Sequence, residues 1–334
     1  MSKNNMFSLS KQLNYHTGGL SHILILKDGR LSSSAADNNL IIYNKNNFTP
    51  DLIIQEHSDY VNYHIQLKNE NLVTCSWDYT LKIIKLLDNN KYKVIQKLKE
   101  HKFVVNKAIE LENEKMLTVA DDKFIILWKK NLNNNLYEVE KKIKCSVNNY
   151  PNINIVLINN DLLLSSSLSD YKLRFFEINN NFQLAFYFDN LDLCFSRNSV
   201  LYINEKDLLL VGGIKDNGVY LFKLKKIPTF IGKIFSDWIN EVYSIILTED
   251  GNILMGLKEK EKEDNKNGSE NKDENYSYSI CKFEIGKNNE VIFLDKVKNA
   301  HKDLINGIIH WKEKNMIVSC SKDKKVNLWK INSK

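Results

Sequence analysis

The chain has 334 residues, of which 43% are hydrophobic, and its 47 basic and 41 acidic residues give a formal net charge of +6. No stretch approaches the roughly 18 consecutive apolar residues of a membrane-spanning helix, and the first residues, MSKNNMFSLSKQ, lack the apolar core of a signal peptide. Five scattered cysteines without a Cys-x-x-Cys pair argue against a disulfide framework and against a zinc site. We therefore expect a soluble globular protein without a membrane span, cytoplasmic or alternatively nuclear.

In chain order, the first predicted element is an alternating strand at residues 6–13, and a repeat follows it. An aspartate with a bulky apolar residue six positions later occurs as Asp37/Tyr43, Asp78/Ile84, Asp122/Trp128, Asp170/Phe176, Asp216/Phe222 and Asp323/Trp329. The successive aspartates are 41, 44, 48, 46 and 107 residues apart. A period of this length indicates an array of one small structural unit.

The units also begin alike. The segments HSDYVN at His57, HKFVVN at His101 and HKDLIN at His301 open three of them, SDWIN at residues 236–240 is a weaker copy, and His16 opens the first unit. Between these openings and the aspartates lie short apolar runs separated by Asp, Asn and Gly. Runs of this length are typical of strands, and their number predicts four strands per unit.

The long gap before Asp323 contains two units and an insertion. Residues 258–275, KEKEKEDNKNGSENKDEN, contain no apolar side chain, so we predict a disordered charged insertion in the sixth unit. The sixth unit then ends near Phe283, and the count of units is seven. Because few residues follow Trp329, the last unit lacks an outer strand, and we expect the strand at residues 6–13 to complete it.

These offsets resemble the WD40 repeat β-propeller family from about Met6 to Ile331, although no Gly-His pair opens a unit and lysine follows Trp128 and Trp329. The resemblance implies an all-β, seven-bladed β-propeller of four-stranded antiparallel blades, a single domain over residues 1–334, in which the N-terminal strand closes the ring. It also implies a structural network in which the histidine joins the aspartate to a Ser or Thr, whose hydroxyl meets the closing tryptophan. The complete sets are His101, Thr118, Asp122 and Trp128, and His301, Ser319 or Ser321, Asp323 and Trp329. Units four to six lack the histidine, and unit two has Ile84 instead of tryptophan.

No motif for catalysis, a cofactor or a metal is found. Four histidines occupy the repeat position, and we expect His22, His64 and His310 to point in different directions. We therefore predict a monomeric, non-catalytic scaffold, a subunit of a multiprotein complex, that binds a protein or peptide partner across the top face of the propeller. The candidate contact residues adjoin the unit openings or the turn aspartates, and they are Tyr60, Trp77, Asp121, Trp238, Leu304 and Lys322. Alternatively, each aromatic residue covers its own blade.

Asparagine recurs at one position of the first strand, as Asn62, Asn106, Asn240 and Asn306. Either these amides order water in the channel, or the position is a strand bend. Two other functions stay open: nucleic-acid or phosphoinositide binding, which needs clustered basic residues, and a small-ligand or enzymatic site in the channel.

Overall fold

The computed structural model describes residues 6–145, 153–167, 172–189, 195–214, 218–224, 228–234, 238–260 and 276–332. Within these residues the chain forms 28 strands and two single-turn 3₁₀ helices, Asn204–Lys206 and Lys312–Lys314. The strands pair as four-stranded antiparallel sheets, as the repeat predicts. Two compact units are distinguished, Leu13–Arg197 and Asn198–Lys334 with Met1–Gln12.

The Leu13–Arg197 unit contains four sheets, each formed by four consecutive strands. The first two sheets are β2 (Leu20–Ile25), β3 (Leu31–Ala35), β4 (Leu40–Tyr43) and β5 (Pro50–Ile54), then β6 (Val61–Gln66), β7 (Leu72–Ser76), β8 (Leu81–Leu87) and β9 (Lys91–Leu98). The next two are β10 (Val105–Glu110), β11 (Lys115–Ala120), β12 (Phe124–Lys130) and β13 (Tyr137–Lys144), then β14 (Ile153–Asn159), β15 (Leu162–Ser167), β16 (Leu173–Glu177) and β17 (Gln183–Phe188).

The Asn198–Lys334 unit contains the remaining strands, except that the first three residues of β18, 195–197, belong to the Leu13–Arg197 unit. They are β18 (Phe195–Ile203), β19 (Leu208–Gly213), β20 (Val219–Lys223) and β21 (Thr229–Ile234), then β22 (Ile239–Leu247), β23 (Ile253–Lys260), β24 (Tyr276–Ile285) and β25 (Val291–His301), and finally β26 (Ile305–Trp311), β27 (Met316–Ser321) and β28 (Val326–Ile331). The first strands of two of these sheets, β18 and β22, meet in a parallel bridge between Asn198 and Ser244.

The N-terminal strand β1 (Phe7–Leu13) lies next to β28, so the predicted completion of the last sheet is confirmed. The Gln12 amide donates to Asn327 Oδ1 at 2.9 Å, and Asn332 N–H donates to the carbonyl of Met6 at 3.1 Å. Phe7 packs into the same buried cluster as Trp329. The strand therefore both covers the edge of β28 and adds to the core of its unit.

The core of each unit lies between successive sheets. Strands two and three of a sheet are buried on both faces, as β3 and β4 show, because a neighbouring sheet covers each side. Outer strands such as β9 alternate between exposed and half-buried side chains, since only one face meets the protein. Trp128 is almost fully buried among the second and third sheets, with Leu98 and Val105.

The sixth sheet corrects the boundary of the charged insertion. Strand β23 continues to Lys260 and pairs with β24 up to Tyr276, so residues 258–260 are ordered strand rather than the start of a disordered segment. The backbone ladder extends there because Glu259 is buried and receives a hydrogen bond from Lys296 at 2.6 Å. Residues 261–275 lie outside the described residues, as do Asp170, Asp216 and Ser236.

The repeated asparagines lie at irregularities in the first strand. The pairing register shifts between Val61 and Tyr63, and the same shift occurs between Val105 and Lys107. Asn240 and Asn306 lie at equivalent shifts of β22 and β26. This supports the strand-bend interpretation, because a bulge redirects the side chains that follow it.

Candidate functional site

A buried hydrogen-bond network, which we call a closing network, links the strands of the third sheet. His101 Nδ1 lies 2.8 Å from Asp122 Oδ2, and His101 Nε2 lies 2.8 Å from the Thr118 hydroxyl. The Trp128 indole N–H donates to that hydroxyl at 2.8 Å. An indole can only donate, so the Thr118 hydroxyl donates onward to His101 Nε2, and His101 Nδ1–H donates to the carboxylate. Every polar atom of this network has a partner, which makes its burial favourable.

The same network recurs with substitutions. In the last sheet His301 Nε2 meets Ser319 rather than Ser321, and the Trp329 indole donates to Ser319 at 2.8 Å. In the first sheet the Tyr43 hydroxyl lies 2.8 Å from the Ser33 hydroxyl, where tryptophan stands elsewhere. In the second sheet the Thr74 hydroxyl lies 2.7 Å from His57 Nε2, but Ile84 offers no indole N–H, and the hydroxyl makes a long bond of 3.5 Å to the carbonyl of Lys82.

The network also holds its aspartates in the charged form. Burial would raise the pKa of Asp122, but the hydrogen bond and charge of His101 and the N–H groups of Lys102 and Phe124 together lower it. The pKa of Asp323 is lowered against burial by His301 in the same way. These residues fasten the sheets, and their side chains are occupied by one another.

The predicted contact residues lie where the second strand of a sheet ends beside the opening of the first. Trp77 N–H donates to the carbonyl of Tyr60 at 2.9 Å, and Asp121 N–H donates to the carbonyl of Val104 at 2.9 Å. Lys322 and Leu304 make the equivalent bond in the other unit, at 3.0 Å. The two sets of positions inferred from the sequence are therefore direct neighbours within each sheet.

Four exposed aromatic residues converge at this edge of the second and third sheets. Tyr60 and Trp77 are 40% and 41% exposed, with ring centroids 5.0 Å apart. Tyr79 and Phe103 are 46% and 53% exposed, with ring centroids 6.0 Å apart. We call Tyr60, Trp77, Tyr79 and Phe103 the aromatic surface. Sequence reasoning missed Tyr79 and Phe103. Tyr79 directly follows the turn aspartate Asp78, and Phe103 lies two residues after the opening histidine His101, so both positions could have indicated exposure at this edge.

The turn that presents Trp77 and Tyr79 is rigid. The Ser76 hydroxyl accepts from Asp78 N–H at 3.0 Å, while Asp78 Oδ1 accepts from Thr80 N–H at 3.0 Å and from the Thr80 hydroxyl at 2.6 Å. Tyr79 has a φ of 68°, in the left-handed region. An aromatic side chain is uncommon in that region, where Asn38 stands in the first sheet, so local strain accompanies its exposure.

The comparison with known families agrees with this geometry. Residues 294–330, which include β26 to β28, match the WD40 family model, described as WD domain, G-beta repeat. These residues therefore carry a WD40 repeat. No curated protein matches the chain. WD40 repeats generally act as protein-interaction scaffolds and are generally not catalytic.

In the Asn198–Lys334 unit, the candidate residues differ in exposure. Trp238 is half-buried, with its ring 5.5 Å from Phe293 and the Lys296 ammonium 4.9 Å from its centroid. Trp238 thus covers the sixth sheet. Leu304 is half-buried and Lys322 is exposed, next to the last network. Their role in contact stays a prediction.

Polar groups below the aromatic surface link the second and third sheets. The Asn62 amide donates to Asn106 Oδ1 at 3.2 Å, and the Asn106 amide donates to Asp121 Oδ1 at 2.5 Å. Asp121 is half-buried and accepts the last hydrogen bond of this Asn62–Asn106 series, so it is not a free surface carboxylate. Burial raises its pKa, against the Asn106 bond and the charge of Arg197.

In the Leu13–Arg197 unit, the first strands of successive sheets bring cationic and aromatic side chains together. His22, Tyr63 and Lys107 each follow the bulge of their strand and hold one register position in three successive sheets. The His22 and Tyr63 ring centroids are 3.9 Å apart, and the Lys107 ammonium lies 5.3 Å from the Tyr63 ring. Lys107 Nζ donates to the carbonyl of Arg197 at 2.8 Å. Sequence reasoning missed Lys107 and Arg197 because no local motif marks them.

The expectation that the other histidines point in different directions is wrong for His22 and His64. Their rings meet edge to face with centroids 4.9 Å apart, because the bulge redirects β2 and the neighbouring β6 lies against it. His64 lies within hydrogen-bond distance of Ser32 and Ser34, at 2.9 and 3.1 Å. Burial and the charge of His16 lower the pKa of His64 to about 3, so His64 is neutral and structural.

A cleft of about 610 Å³ lies at the other edge of the third and fourth sheets. Its polar groups pair with one another, as Lys115 does with Glu140 at 2.8 Å and Asn160 with Glu112 at 3.0 Å. Across the described part of the chain, no three His, Cys, Asp or Glu residues are placed to hold a metal ion. In that same part, no helix has the length and apolar character to span a membrane.

Proposed function

We propose that this protein is a non-catalytic scaffold that binds a protein or peptide partner through the aromatic surface. The observation that carries the proposal is the exposure of four aromatic side chains, in two contacting pairs, at one edge of adjacent sheets. Tyrosine and tryptophan dominate the binding energy of protein interfaces, and exposed clusters of this kind are unfavourable in water unless a partner covers them.

The rigid turn at Asp78 supports the same function. Three hydrogen bonds fix the backbone between Ser76 and Thr80, so the segment that carries Trp77 and Tyr79 loses little conformational freedom when a partner binds. The scaffold would act by presenting a preformed surface rather than by folding on binding.

The charge distribution favours a protein partner over nucleic acid. In the Leu13–Arg197 unit, lysines near the surface pair with glutamates, as Lys130 does with Glu114 at 2.6 Å and Lys142 with Glu100 at 2.9 Å. Mixed pairs of this kind do not form the single-sign patch that phosphate backbones require.

The test is a binding comparison with matched variants. Wild-type protein is used to capture partners, and the affinity of one identified partner is then measured for Trp77→Ala, Phe103→Ala and a control, Tyr187→Ala. Tyr187 is 49% exposed but lies on the outer strand β17. We expect about a 30-fold loss of affinity for Trp77→Ala, the size of an interface hot spot, and less than a threefold change for the control. Equal losses for Trp77→Ala and Tyr187→Ala would overturn the proposal.

A further inference from the structure

Two cations lie below the aromatic surface without an ion-pair partner among the described residues. Lys107 is 7% exposed, and Arg197 Nη1 donates to the carbonyl of Asn62 at 3.3 Å. Each side chain donates one of these hydrogen bonds to a backbone carbonyl, which accepts it but does not balance a charge. A desolvated cation is costly unless an anion accompanies it.

Among the described residues, Asp121 is the carboxylate whose charge acts on Arg197. The charge of Asp121 favours the cationic form of Arg197, but Asp121 Oδ1 already accepts from the Asn106 amide. Burial, followed by the charge of Arg197, lowers the pKa of Lys107 to about 7. Lys107, Arg197 and Asp121 together carry one positive charge more than they balance when all are ionised, so a single monovalent anion would neutralise the cluster.

An unpartnered polar atom marks the same place independently. His22 is 7% exposed, and its Nδ1 has no hydrogen-bond partner. His22 occupies the register position that Lys107 and Tyr63 hold in the next sheets, and its ring lies against Tyr63. Burial, followed by the charges of His64, Lys107 and Arg197, lowers the pKa of His22 against a hydrogen bond to the His64 backbone, so its ring is neutral at pH 7. Nδ1 can donate to a carboxylate in the Nδ1–H tautomer of this ring.

The cations lie farther along the chain than the aromatic surface. Tyr60 directly precedes β6 and lies three residues before Tyr63, and Phe103 precedes β10 and lies four residues before Lys107. At about 3.3 Å per extended residue, these offsets correspond to at most about 10–13 Å along the backbone. A partner segment whose backbone continues from the aromatic rings along these strands could therefore place an acidic side chain beside the cations.

We infer that Lys107 and Arg197 form an anion site that receives the carboxylate of an aspartate or glutamate in the bound partner segment. The inference rests on the proposed function, because the aromatic surface would hold the rest of that segment. A carboxylate supplies the single charge that the cluster lacks, whereas a dianionic phosphate would exceed it beside Asp121. The expected partner is thus a peptide with an acidic residue next to apolar or aromatic ones.

A first experiment tests the anion site alone. N-acetyl-aspartate amide, N-acetyl-asparagine amide and inorganic phosphate are titrated separately into wild-type protein and Lys107→Met, with the shift in melting temperature as readout. We expect the aspartate derivative to stabilise wild-type protein and the neutral asparagine derivative to have no effect, with the response lost in Lys107→Met. Stabilisation by phosphate alone, or by none of the three, would overturn the carboxylate assignment.

A second experiment separates this inference from the proposed function. Random 12-residue peptides are displayed and selected on wild-type protein, Arg197→Lys, Lys107→Met and Trp77→Ala. We expect wild-type selections to enrich an acidic residue at a fixed distance from an aromatic one, and Lys107→Met to bind those peptides about 10- to 100-fold more weakly. Arg197→Lys, which keeps the charge, should retain most of the binding.

The possible results are distinct. Peptides that depend on Trp77 but show no acidic preference would support the aromatic surface and reject the anion site. Acidic peptides that bind equally to wild-type protein and Trp77→Ala would reject the aromatic surface instead. Because Lys107→Met removes a buried cation and shortens the side chain by only its terminal atom, we expect it to fold, and its melting curve checks this.

Discussion

At the scale of single residues, the hydroxyl of the second strand determines how much the closing network contributes. Thr118 lies between the indole of Trp128 and the imidazole of His101, so both would lose a partner if it were replaced. Thr74 holds the same place in the second sheet, but Ile84 there has no N–H to satisfy. The two threonines have the same side chain, but only Thr118 accepts a hydrogen bond from an indole.

We therefore expect Thr118→Val to destabilise the protein more than Thr74→Val. Each buried polar atom left without a partner costs about 1–3 kcal/mol, and Thr118→Val leaves two such atoms whereas Thr74→Val leaves one. The difference in free energy of unfolding between the variants should be about 1–3 kcal/mol, measured by urea denaturation. Equal destabilisation would show that the indole hydrogen bond contributes nothing.

At the scale of strands and sheets, the N-terminal strand β1 joins the two ends of the described chain, because it lies next to the last strand, β28. It pairs with β28, and Phe7 is buried against residues of β24 and β26, among them Ile280 and Ile308. Deleting residues 1–13 would leave the edge of β28 unpaired and open the cluster around Trp329.

We expect this deletion to lower the melting temperature by about 5 °C or more, since burial of Phe7 and Leu13 alone accounts for several kcal/mol. Deletion of residues 1–5, which stops before β1, is the control. A synthetic peptide of residues 6–13 should restore part of the lost stability. An unchanged melt after removal of residues 1–13 would show that β1 does not contribute to the core.

The strands were predictable from the sequence because their signals are local. The apolar runs recur in each unit, and the spacing of His301, Asp323 and Trp329 is also that of His101, Asp122 and Trp128 to within one residue. These signals need no knowledge of distant contacts. The exposed place of Trp77 beside Tyr60 followed from the same offsets.

The inner cluster was not predictable in this way. Lys107, Arg197 and His22 come from three different sheets, and each is ordinary in its own segment. Their proximity depends on bulges between Leu20 and His22 and between Val105 and Lys107, which change the direction of the side chains that follow. The strand register at these bulges is not evident from the local sequence. The error over His22 and His64 has the same origin.

At the scale of the whole molecule, the four closing networks make the free energy of unfolding depend on pH in the acidic range. Burial would raise the pKa of Asp37, yet His16 and nearby N–H groups lower it, and His57 with Thr80 lowers the pKa of Asp78 strongly against burial. Asp122 and Asp323 are lowered in the same manner. Unfolded aspartates have a pKa of about 3.9, so near and below pH 4 the unfolded chain binds more protons at these sites than the folded protein.

Stability should therefore be constant with respect to these groups above about pH 5 and fall as the pH drops through 4, by up to about 1.4 kcal/mol per pH unit for each carboxyl. Urea denaturation at a series of pH values from 7 to 3 measures the slope for wild-type protein, Asp122→Asn and Asp88→Asn. Asp122→Asn is less stable at pH 7 but should lose less stability on acidification, because one linked carboxyl is gone. Asp88 is exposed in the turn between β8 and β9, and its replacement should leave the slope as in wild-type protein. If the Asp122→Asn curve runs parallel to that of wild-type protein, the carboxylates of the closing networks are not the source of the acid sensitivity.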